Sequence, residues 1–285
     1  MTYFIYPLLA GGAVVALVAL VSAGLAFPLA AGPVLAGSAL AVFVLERFRP
    51  HTRAWQKDLG DARTDRAHLV ANLTVSLSAT AAYASVWHAT GGLGAGWPEA
   101  LPFAIEFLLA LAITDVGLYA VHRASHRVRW LWRLHAIHHS PARLYWINGQ
   151  RRHLVHEMLE GLPGFVVLGA LGAPPPLVAC GFAAITIHLM YQHGNIEYRT
   201  GPLRHVFAVA EVHRWHHQRR WHDVQGNYGA VLAVWDHLFR SVLPQQGGAP
   251  VDVGMDDEPD LPSDWWGQMM WPFRRAGGGR AASSQ

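Results

Sequence analysis

The sequence predicts an all-α integral membrane protein, and the first evidence for this prediction is its composition. Of the 285 residues, 52% are hydrophobic and only 14% are charged, whereas soluble domains carry about 25% charged residues. Residues 4–45 include no charged side chain, and a run of this length accommodates two transmembrane helices of about 20 residues each. No segment alternates apolar and polar residues as a half-buried strand does. The single cysteine excludes a disulfide scaffold, and the apolar content excludes a disordered chain.

The apolar run at residues 4–45 predicts a helical hairpin. Its turn is expected within residues 24–33, where glycine and proline cluster. A cleaved signal peptide is the alternative, but such a peptide begins with basic residues, and the first three residues include none.

Three further apolar stretches follow, at residues 69–89, 101–120 and 162–190. The first two predict transmembrane helices. The third contains three consecutive prolines, Pro174, Pro175 and Pro176, which predict a bent or re-entrant hairpin because proline interrupts a helix. We therefore expect about four transmembrane helices, one re-entrant hairpin and a helical region outside the bilayer.

Basic residues predict the orientation. Arg47, Arg49, Arg53, Lys57, Arg63 and Arg66 follow the second span, and Arg123, Arg127, Arg129 and Arg133 follow the fourth. The connections at 24–33 and 91–98 include no lysine or arginine. By the positive-inside rule, the basic segments and both chain termini face the cytoplasm.

Histidine is the second compositional outlier, with 18 residues against 19 acidic ones. Three clusters stand out: HRASH at 122–126, HAIHH at 135–139 and HRWHH at 213–217. Residues three or four positions apart share one face of a helix, so each cluster presents its imidazoles together. A single histidine is more often a solvated or hydrogen-bonded residue than a ligand, but a repeated triad favours metal binding. The eight imidazoles suffice for two metal ions, a known catalytic arrangement.

Other catalytic motifs are absent. His156 and Glu157 begin a sequence similar to the H-E-x-x-H zinc motif, but its fifth position is Glu160. The G-x-S-x-G, P-loop and C-x-x-C motifs do not occur. Metal chemistry at the histidine clusters is what the motifs favour.

The three clusters resemble, in order and spacing, the histidine boxes of the fatty acid hydroxylase/sterol desaturase superfamily of membrane di-iron enzymes. The resemblance includes residues 130–153 and 213–239 and extends over about 103–243. Within the superfamily, the chain resembles the alkylglycerol monooxygenase-like and bacterial sterol-desaturase-like branch more than the plant C-4 oxidases. It implies two iron ions, with O2 as co-substrate. It also implies one or two histidines between the triads, a place occupied here by His188 and His193. The implied ligands are His122, His126, His135, His138, His139, His188, His193, His213, His216 and His217.

Ligand histidines need a hydrogen-bond acceptor for the second ring nitrogen. Asp115 precedes His122 by seven residues, two helical turns on the same face, and is expected to hold it. Asn195 and Asp236 are weaker candidates for the same role. His153 and His156 are expected beside the ligands or in a channel.

The resemblance implies hydroxylation or desaturation of a C–H bond in a lipid or sterol-like substrate. The chain has no cysteine set, haem motif or nucleotide fingerprint, so an external electron donor is expected: a ferredoxin, a cytochrome b5-like protein or a flavoprotein reductase. The arginines between 123 and 152 would dock an acidic donor or meet lipid phosphates. Nucleic acid is not an expected partner. A membrane metal-binding or transport protein and a zinc-dependent membrane hydrolase are the alternative functions.

These observations divide the chain into four segments. They are an N-terminal transmembrane hairpin (1–46), a basic loop with the third span (47–102), the hydroxylase-like catalytic domain (103–243) and a C-terminal tail (244–285).

Overall fold

The computed structural model describes residues 2–92, 94, 96–219, 225–244, 248–256, 258 and 260–274. These residues form ten α-helices: α1 Gly12–Ser22, α2 Phe27–Phe48, α3 Ala62–Thr90, α4 Phe103–Ser125, α5 Arg129–His139, α6 Leu154–Leu171, α7 Pro175–His193, α8 Ala210–His216, α9 Val234–Leu238 and α10 Trp265–Met270. Extended pairing within the described part of the chain is restricted to two isolated bridges. The all-α prediction is confirmed.

Among the described residues, five helices are long and apolar enough to cross a membrane: Thr2–Ser22, Phe27–Phe48, Ala62–Thr90, Phe103–Ser125 and Leu154–Leu171. The first joins α1 to the helical turns that precede it. The outward faces of these helices are apolar; Leu8, Val15 and Leu29 expose 67%, 68% and 65% of their surfaces. Exposed apolar surface on this scale fits lipid rather than water. The chain is a multi-pass membrane protein.

The turns explain where the apolar runs are divided. Gly24 lies in the connection between α1 and α2. Its φ of +90° is a backbone conformation that favours glycine. The three prolines begin α7, with Pro174 as its N-cap, so they separate α6 from α7 instead of bending one helix. The expected hairpin at 162–190 is therefore the second part of α6 followed by α7.

Two glycines bring α4 and α6 into close contact. A Cβ added at Gly164 would lie 3.0 Å from the Cα of Thr114, and one at Gly117 would lie 3.1 Å from the Cβ of Pro163. Only glycine permits this approach without displacement of the neighbouring helix. The close packing sets the C-terminal end of α4 beside the beginning of α6.

The described part of the C-terminal tail packs onto the histidine region. Trp271 contacts Trp132 of α5, and the guanidinium of Arg133 lies 5.0 Å from the Trp271 ring centre. The side chain of Gln268 in α10 hydrogen bonds to His68 of α3 at 2.7 Å. The tail thereby covers the outer side of α5.

Candidate metal centre

Four helices deliver nine buried histidines to one region between them. The end of α4 supplies His122 and His126, α5 supplies His135, His138 and His139, the end of α7 supplies His193, and α8 with its C-cap supplies His213, His216 and His217.

These side chains form two groups. The ligand atoms within each group lie within 4.8 Å of one another. The five-histidine group consists of His122, His126, His135, His139 and His216; the four-histidine group consists of His138, His193, His213 and His217. The groups adjoin, because the rings of His139 and His217 stack with centres 4.5 Å apart.

Each pair of consecutive histidines is divided between the two groups. In α5, His138 belongs to the four-histidine group and His139 to the five-histidine group; in α8, His217 and His216 divide in the same way. Consecutive helical residues point about 100° apart, so a dipeptide at the end of a helix reaches two neighbouring sites. Each triad therefore serves both groups rather than one.

The ring nitrogens face each other at the spacing of a metal coordination shell. In the five-histidine group, Nε2 atoms are 2.9 Å apart between His122 and His216, and 3.0 Å apart between His135 and His139. Two nitrogens each about 2.1 Å from one metal ion, at right angles, would be about 3.0 Å apart.

The four-histidine group repeats this spacing. Its Nε2 separations are 3.3 Å from His193 to His138, 3.1 Å from His213 to His193, and 3.0 Å from His217 to His213. The donor set of both groups consists of imidazole nitrogens, which suit iron, zinc and copper.

Hydrogen bonds to the backbone determine which nitrogens carry protons. The Nδ1 of His122 donates to the carbonyl of Tyr228 at 2.8 Å, and the Nδ1 of His216 donates to the carbonyl of Gly226 at 2.9 Å. A carbonyl only accepts, so in the neutral rings both Nε2 atoms hold lone pairs. Two lone pairs facing each other at 2.9 Å repel unless a cation lies between them. This arrangement fits a bound metal ion.

Burial keeps these histidines in the neutral form that binds metal. Removal from water, followed in importance by the neighbouring rings, lowers the pKa of His135, His138, His139, His213, His216 and His217 well below the usual value of 6.5.

The carbonyls that hold the five-histidine group belong to a loop fixed by Asp236. The two carboxylate oxygens of Asp236 accept hydrogen bonds from the backbone amides of Tyr228 and Gly229, both at 2.8 Å. Asp236 therefore acts on His122 through the loop. The prediction that its carboxylate bonds directly to a ligand histidine is wrong.

The predicted hydrogen bond from His122 to Asp115 is wrong. Asp115 instead accepts from the amides of Val231 and Leu232 at 2.8 and 2.9 Å, and from the indole of Trp235 at 2.8 Å. The carboxylate thus faces the backbone at Val231 and Leu232, and the second nitrogen of His122 is bonded to the Tyr228 carbonyl instead.

Two further predictions need correction. His188 belongs to neither group: its Nδ1 bonds to the Tyr6 hydroxyl at 2.6 Å and its Nε2 to the Ala208 carbonyl at 3.2 Å. The five-residue spacing to His193 points the two rings in different directions along α7. Asn195 pairs with the backbone of Thr52 at 3.0 Å and likewise does not reach a ligand histidine.

The structure places one further pair of candidate ligands beside the centre, which the sequence did not predict as ligands. His156 and Glu160, one turn apart on α6, form a third group of candidate ligand atoms with His135. The signal was the i, i+4 spacing of the incomplete zinc motif. His153, by contrast, bonds to the carbonyl of Met269 at 2.9 Å and lies outside the three groups.

Two cavities with shared lining residues lie beside the histidines. An apolar cavity of about 870 Å³ lies between α2, α3 and α7, and a smaller one of about 50 Å³ borders both histidine groups. Leu73, Ser76, Phe182 and Thr186 line both cavities, so these four side chains mark the junction. The large cavity is of the size that holds small ligands.

The arginines between 123 and 152 do not form one exposed surface. Arg143 is buried and pairs with Asp61 at 2.7 Å, and Arg151 is buried and pairs with Asp65 at 2.9 Å. Arg127 and Arg129 are exposed. A docking surface made of this whole segment is therefore excluded, because its second half stabilises the contact with the loop before α3 and the start of that helix.

The fold and the histidine groups define a multi-pass membrane protein with a buried centre of imidazole side chains. The sequence model of the fatty acid hydroxylase family matches residues 107–241. Ornithine lipid hydroxylase OlsE of Rhizobium tropici is 33% identical over 84% of this chain and 75% of its own length. The chain belongs to the fatty acid hydroxylase family, which confirms the resemblance seen in the histidine clusters.

Alkylglycerol monooxygenases are also similar. The zebrafish (Danio rerio) protein is 29% identical over 66% of this chain, and the human (Homo sapiens) protein is 30% identical over 44%. The chain spans 44% and 28% of the lengths of these two relatives. No solved structure matches the chain.

Proposed function

We propose that the protein is a di-iron hydroxylase that uses O2 to convert a C–H bond of a membrane lipid into an alcohol. The observation that carries the proposal is the position of two buried imidazole groups beside a small cavity that shares four lining residues with a large apolar one. The overall reaction consumes the C–H bond, O2, two electrons and two protons, and yields the alcohol and water. Bound iron would supply the activation of O2.

The ligands that we propose are the nine histidines of the two groups. The residues that fit one ion are those of the five-histidine group, and those of the four-histidine group fit a second. His188 is excluded from this set because both of its nitrogens have other partners.

The apolar cavity would hold the hydrocarbon part of the lipid. Side chains such as Leu77 and Phe182 offer contact without polar groups that compete for hydrogen bonds. At the junction, the hydroxyls of Ser76 and Thr186 are already bonded, to Glu157 at 3.0 Å and to the carbonyl of Phe182 at 2.9 Å. The junction would therefore admit a chain without leaving a polar atom unpaired.

The proposal includes an external electron donor and a cytoplasmic site. A ferredoxin, a cytochrome b5-like protein or a flavoprotein would deliver the two electrons. Exposed Arg127 and Arg129 would be candidate contacts for an acidic donor. The arginine asymmetry supports placing the histidine groups and both termini in the cytoplasm, and reporter fusions in the 91–98 connection and after Gln285 would then report opposite compartments.

The test uses purified protein loaded with ferrous iron, a donor system, ¹⁸O2 and candidate lipids. Ornithine lipids and alkylglycerols come first, because the relatives are named for them. We expect a hydroxylated product with one labelled oxygen atom, formed only when electrons are supplied. An alkene without label would indicate desaturation, and turnover with zinc alone and no electron source would contradict the proposal in favour of a hydrolase.

The cavity assignment has its own test. Thr186→Trp would fill the junction, whereas Thr186→Ser retains a hydroxyl of similar size. We expect the Trp variant to lose at least about tenfold in kcat/KM for the lipid while keeping its metal content. The bulky side chain would prevent the lipid from reaching the position in which its C–H bond can react. Equal kcat/KM in both variants would show that the lipid arrives by another path.

A further inference from the structure

The third cluster of buried polar atoms lies beside the five-histidine group, where α5 meets α6. It contains His135, His156 and Glu160, and its candidate atoms lie within 4.8 Å of one another. The Nδ1 atoms of His135 and His156 are buried and have no hydrogen-bond partner among the described residues. Glu160 approaches the Nδ1 of His156 to 3.5 Å. The Nδ1 of His156 thus lies close to a carboxylate oxygen, and the His135 ring lies beside the His156 ring, with ring centres 4.7 Å apart.

The proton positions follow from the neighbours of this cluster. The Ser125 hydroxyl donates its hydrogen to the Val121 carbonyl at 2.8 Å. The Ser125 oxygen then accepts from the Nε2 of His156, also at 2.8 Å, and in the neutral ring this leaves a lone pair on the Nδ1 of His156.

The proton of His135 is on the other nitrogen. Its Nε2 faces His139 in the five-histidine group at 3.0 Å and is the atom directed at the metal position. The Nδ1 of His135 therefore carries the hydrogen. The cluster presents one donor, His135 Nδ1–H, and two acceptors, the Nδ1 of His156 and a carboxylate oxygen of Glu160.

A third metal ion does not fit this cluster. The guanidinium of Arg152 lies 3.2 Å from the same Glu160 oxygen and already supplies a positive charge. The His135 ring would also have to lose its hydrogen to bind two metals. A water molecule fits, since it accepts one hydrogen bond and donates two, and buried waters typically make about three.

We propose that Glu160 is a positioning residue, which orients the metal ligand His135 through one bridging water. The water accepts from His135 Nδ1–H and donates to Glu160 and to His156. A carboxylate in this relation to a ligand histidine fixes the ring and strengthens its basicity. The inference rests on the proposed function insofar as it takes His135 to be a metal ligand.

Glu157 provides a matched control. It lies one turn earlier on α6 and binds the same guanidinium, at 3.1 Å from Arg152. Its other oxygen accepts from Ser76 of α3 at 3.0 Å, away from the histidine rings. Loss of either carboxylate weakens the Arg152 ion pair, but only loss of Glu160 removes the acceptor for the proposed water.

The experiment titrates Co²⁺ into metal-free wild-type, Glu160→Gln and Glu157→Gln proteins, and follows stoichiometry and the visible absorption of bound Co²⁺. We expect wild type and Glu157→Gln to bind two ions with the same spectrum. Glu160→Gln should bind one of the two about tenfold more weakly with a shifted absorption band, and Glu160→Ala up to about 100-fold more weakly. Glu160→Gln is almost isosteric, so it decides the question if the Ala variant does not fold.

Two results would overturn the inference. The first is wild-type Co²⁺ affinity and absorption in Glu160→Gln. The second is an equal loss of Co²⁺ affinity in Glu160→Gln and Glu157→Gln, which would assign the effect to the Arg152 ion pair. Failure of wild type to bind Co²⁺ would instead refute the metal centre of the proposed function, and the inference with it. A high-resolution structure should show the water within about 3.2 Å of all three atoms.

Discussion

The two histidine groups differ in what fixes their rings. In the five-histidine group, His122 and His216 donate to the carbonyls of Tyr228 and Gly226, in a loop that Asp236 holds from behind. In the four-histidine group, His193 has only a 3.3 Å contact with a carbonyl of its own helix. The Nδ1 atoms of His138 and His213, like that of His135 in the other group, have no partner among the described residues, so no ring of the four-histidine group is shown there to bond to a fixed loop carbonyl.

This difference has a consequence for the two proposed metal ions. A ring whose second nitrogen is bonded to a fixed carbonyl is oriented before metal arrives, so less freedom is lost on binding. The five-histidine group also offers one more nitrogen. We therefore expect it to hold its ion more tightly, and the four-histidine group to keep a coordination position for an exchangeable ligand.

The largest expected effect comes from the adjacent residues His138 and His139, which belong to different groups. His138→Ala and His139→Ala should each reduce the bound iron from two ions to one and lower turnover by more than about 100-fold, because both ions are required for the reaction. The ion that remains should resist EDTA in His138→Ala and be lost sooner in His139→Ala. Equal resistance in the two variants would remove the distinction between the groups.

Asp236→Ala tests the loop. Without the carboxylate, the amides of Tyr228 and Gly229 lose their acceptor and the carbonyl of Tyr228 is no longer held in place. We expect about a 10- to 100-fold loss of affinity for the ion of the five-histidine group, measured by competition with a chelator, and a smaller change for the other ion. Ser241→Ala, which removes only a hydroxyl bonded to Asp236 at 2.7 Å, is the control and should stay near wild type in metal affinity.

Asp115→Ala should have a smaller effect on the metal. Its carboxylate holds the chain at Val231 and Leu232, beyond the carbonyls that bind the histidines. We expect a loss of about 1–3 kcal/mol in the free energy of unfolding, because two backbone amides and the indole of Trp235 lose their acceptor. A loss of metal affinity as large as in Asp236→Ala would show that the two carboxylates act together.

The smallest effect is expected at His188. His188→Phe should leave two ions bound and reduce stability by about 1 kcal/mol, through the lost hydrogen bond to Tyr6. Tyr6→Phe should reproduce this change, and His193→Ala should instead release the ion of the four-histidine group. Metal loss in His188→Phe would mean that the ring reaches the centre in the metal-bound state.

Much of this molecule could be predicted from the sequence because local periodicity decides it. Helices α1 to α4 follow from apolar runs of membrane-spanning length, and the grouping of His135 with His139 follows from the helical repeat. The division of consecutive histidines between two groups departs from the prediction that each cluster presents its imidazoles together, and the angle between neighbouring helical residues accounts for it.

The rest depends on contacts between residues distant in the chain. The acceptor for His122 is the carbonyl of Tyr228, 106 residues away, and any residue type offers a carbonyl. The choice of His193 over His188 depends on where α7 crosses the centre: Gly149 packs so closely on His193 that a Cβ there would lie 2.9 Å from its Nδ1. No spacing within α7 predicts that approach.

The most direct test of the central claim is a count of tightly bound iron per chain, combined with a structure that locates it. After loading with ferrous iron and removal of excess metal, we predict two ions per chain, one within each group and each about 2.0–2.3 Å from its imidazole nitrogens. One ion per chain, or iron bound at histidines outside the two groups such as His205 and His237, would contradict the account.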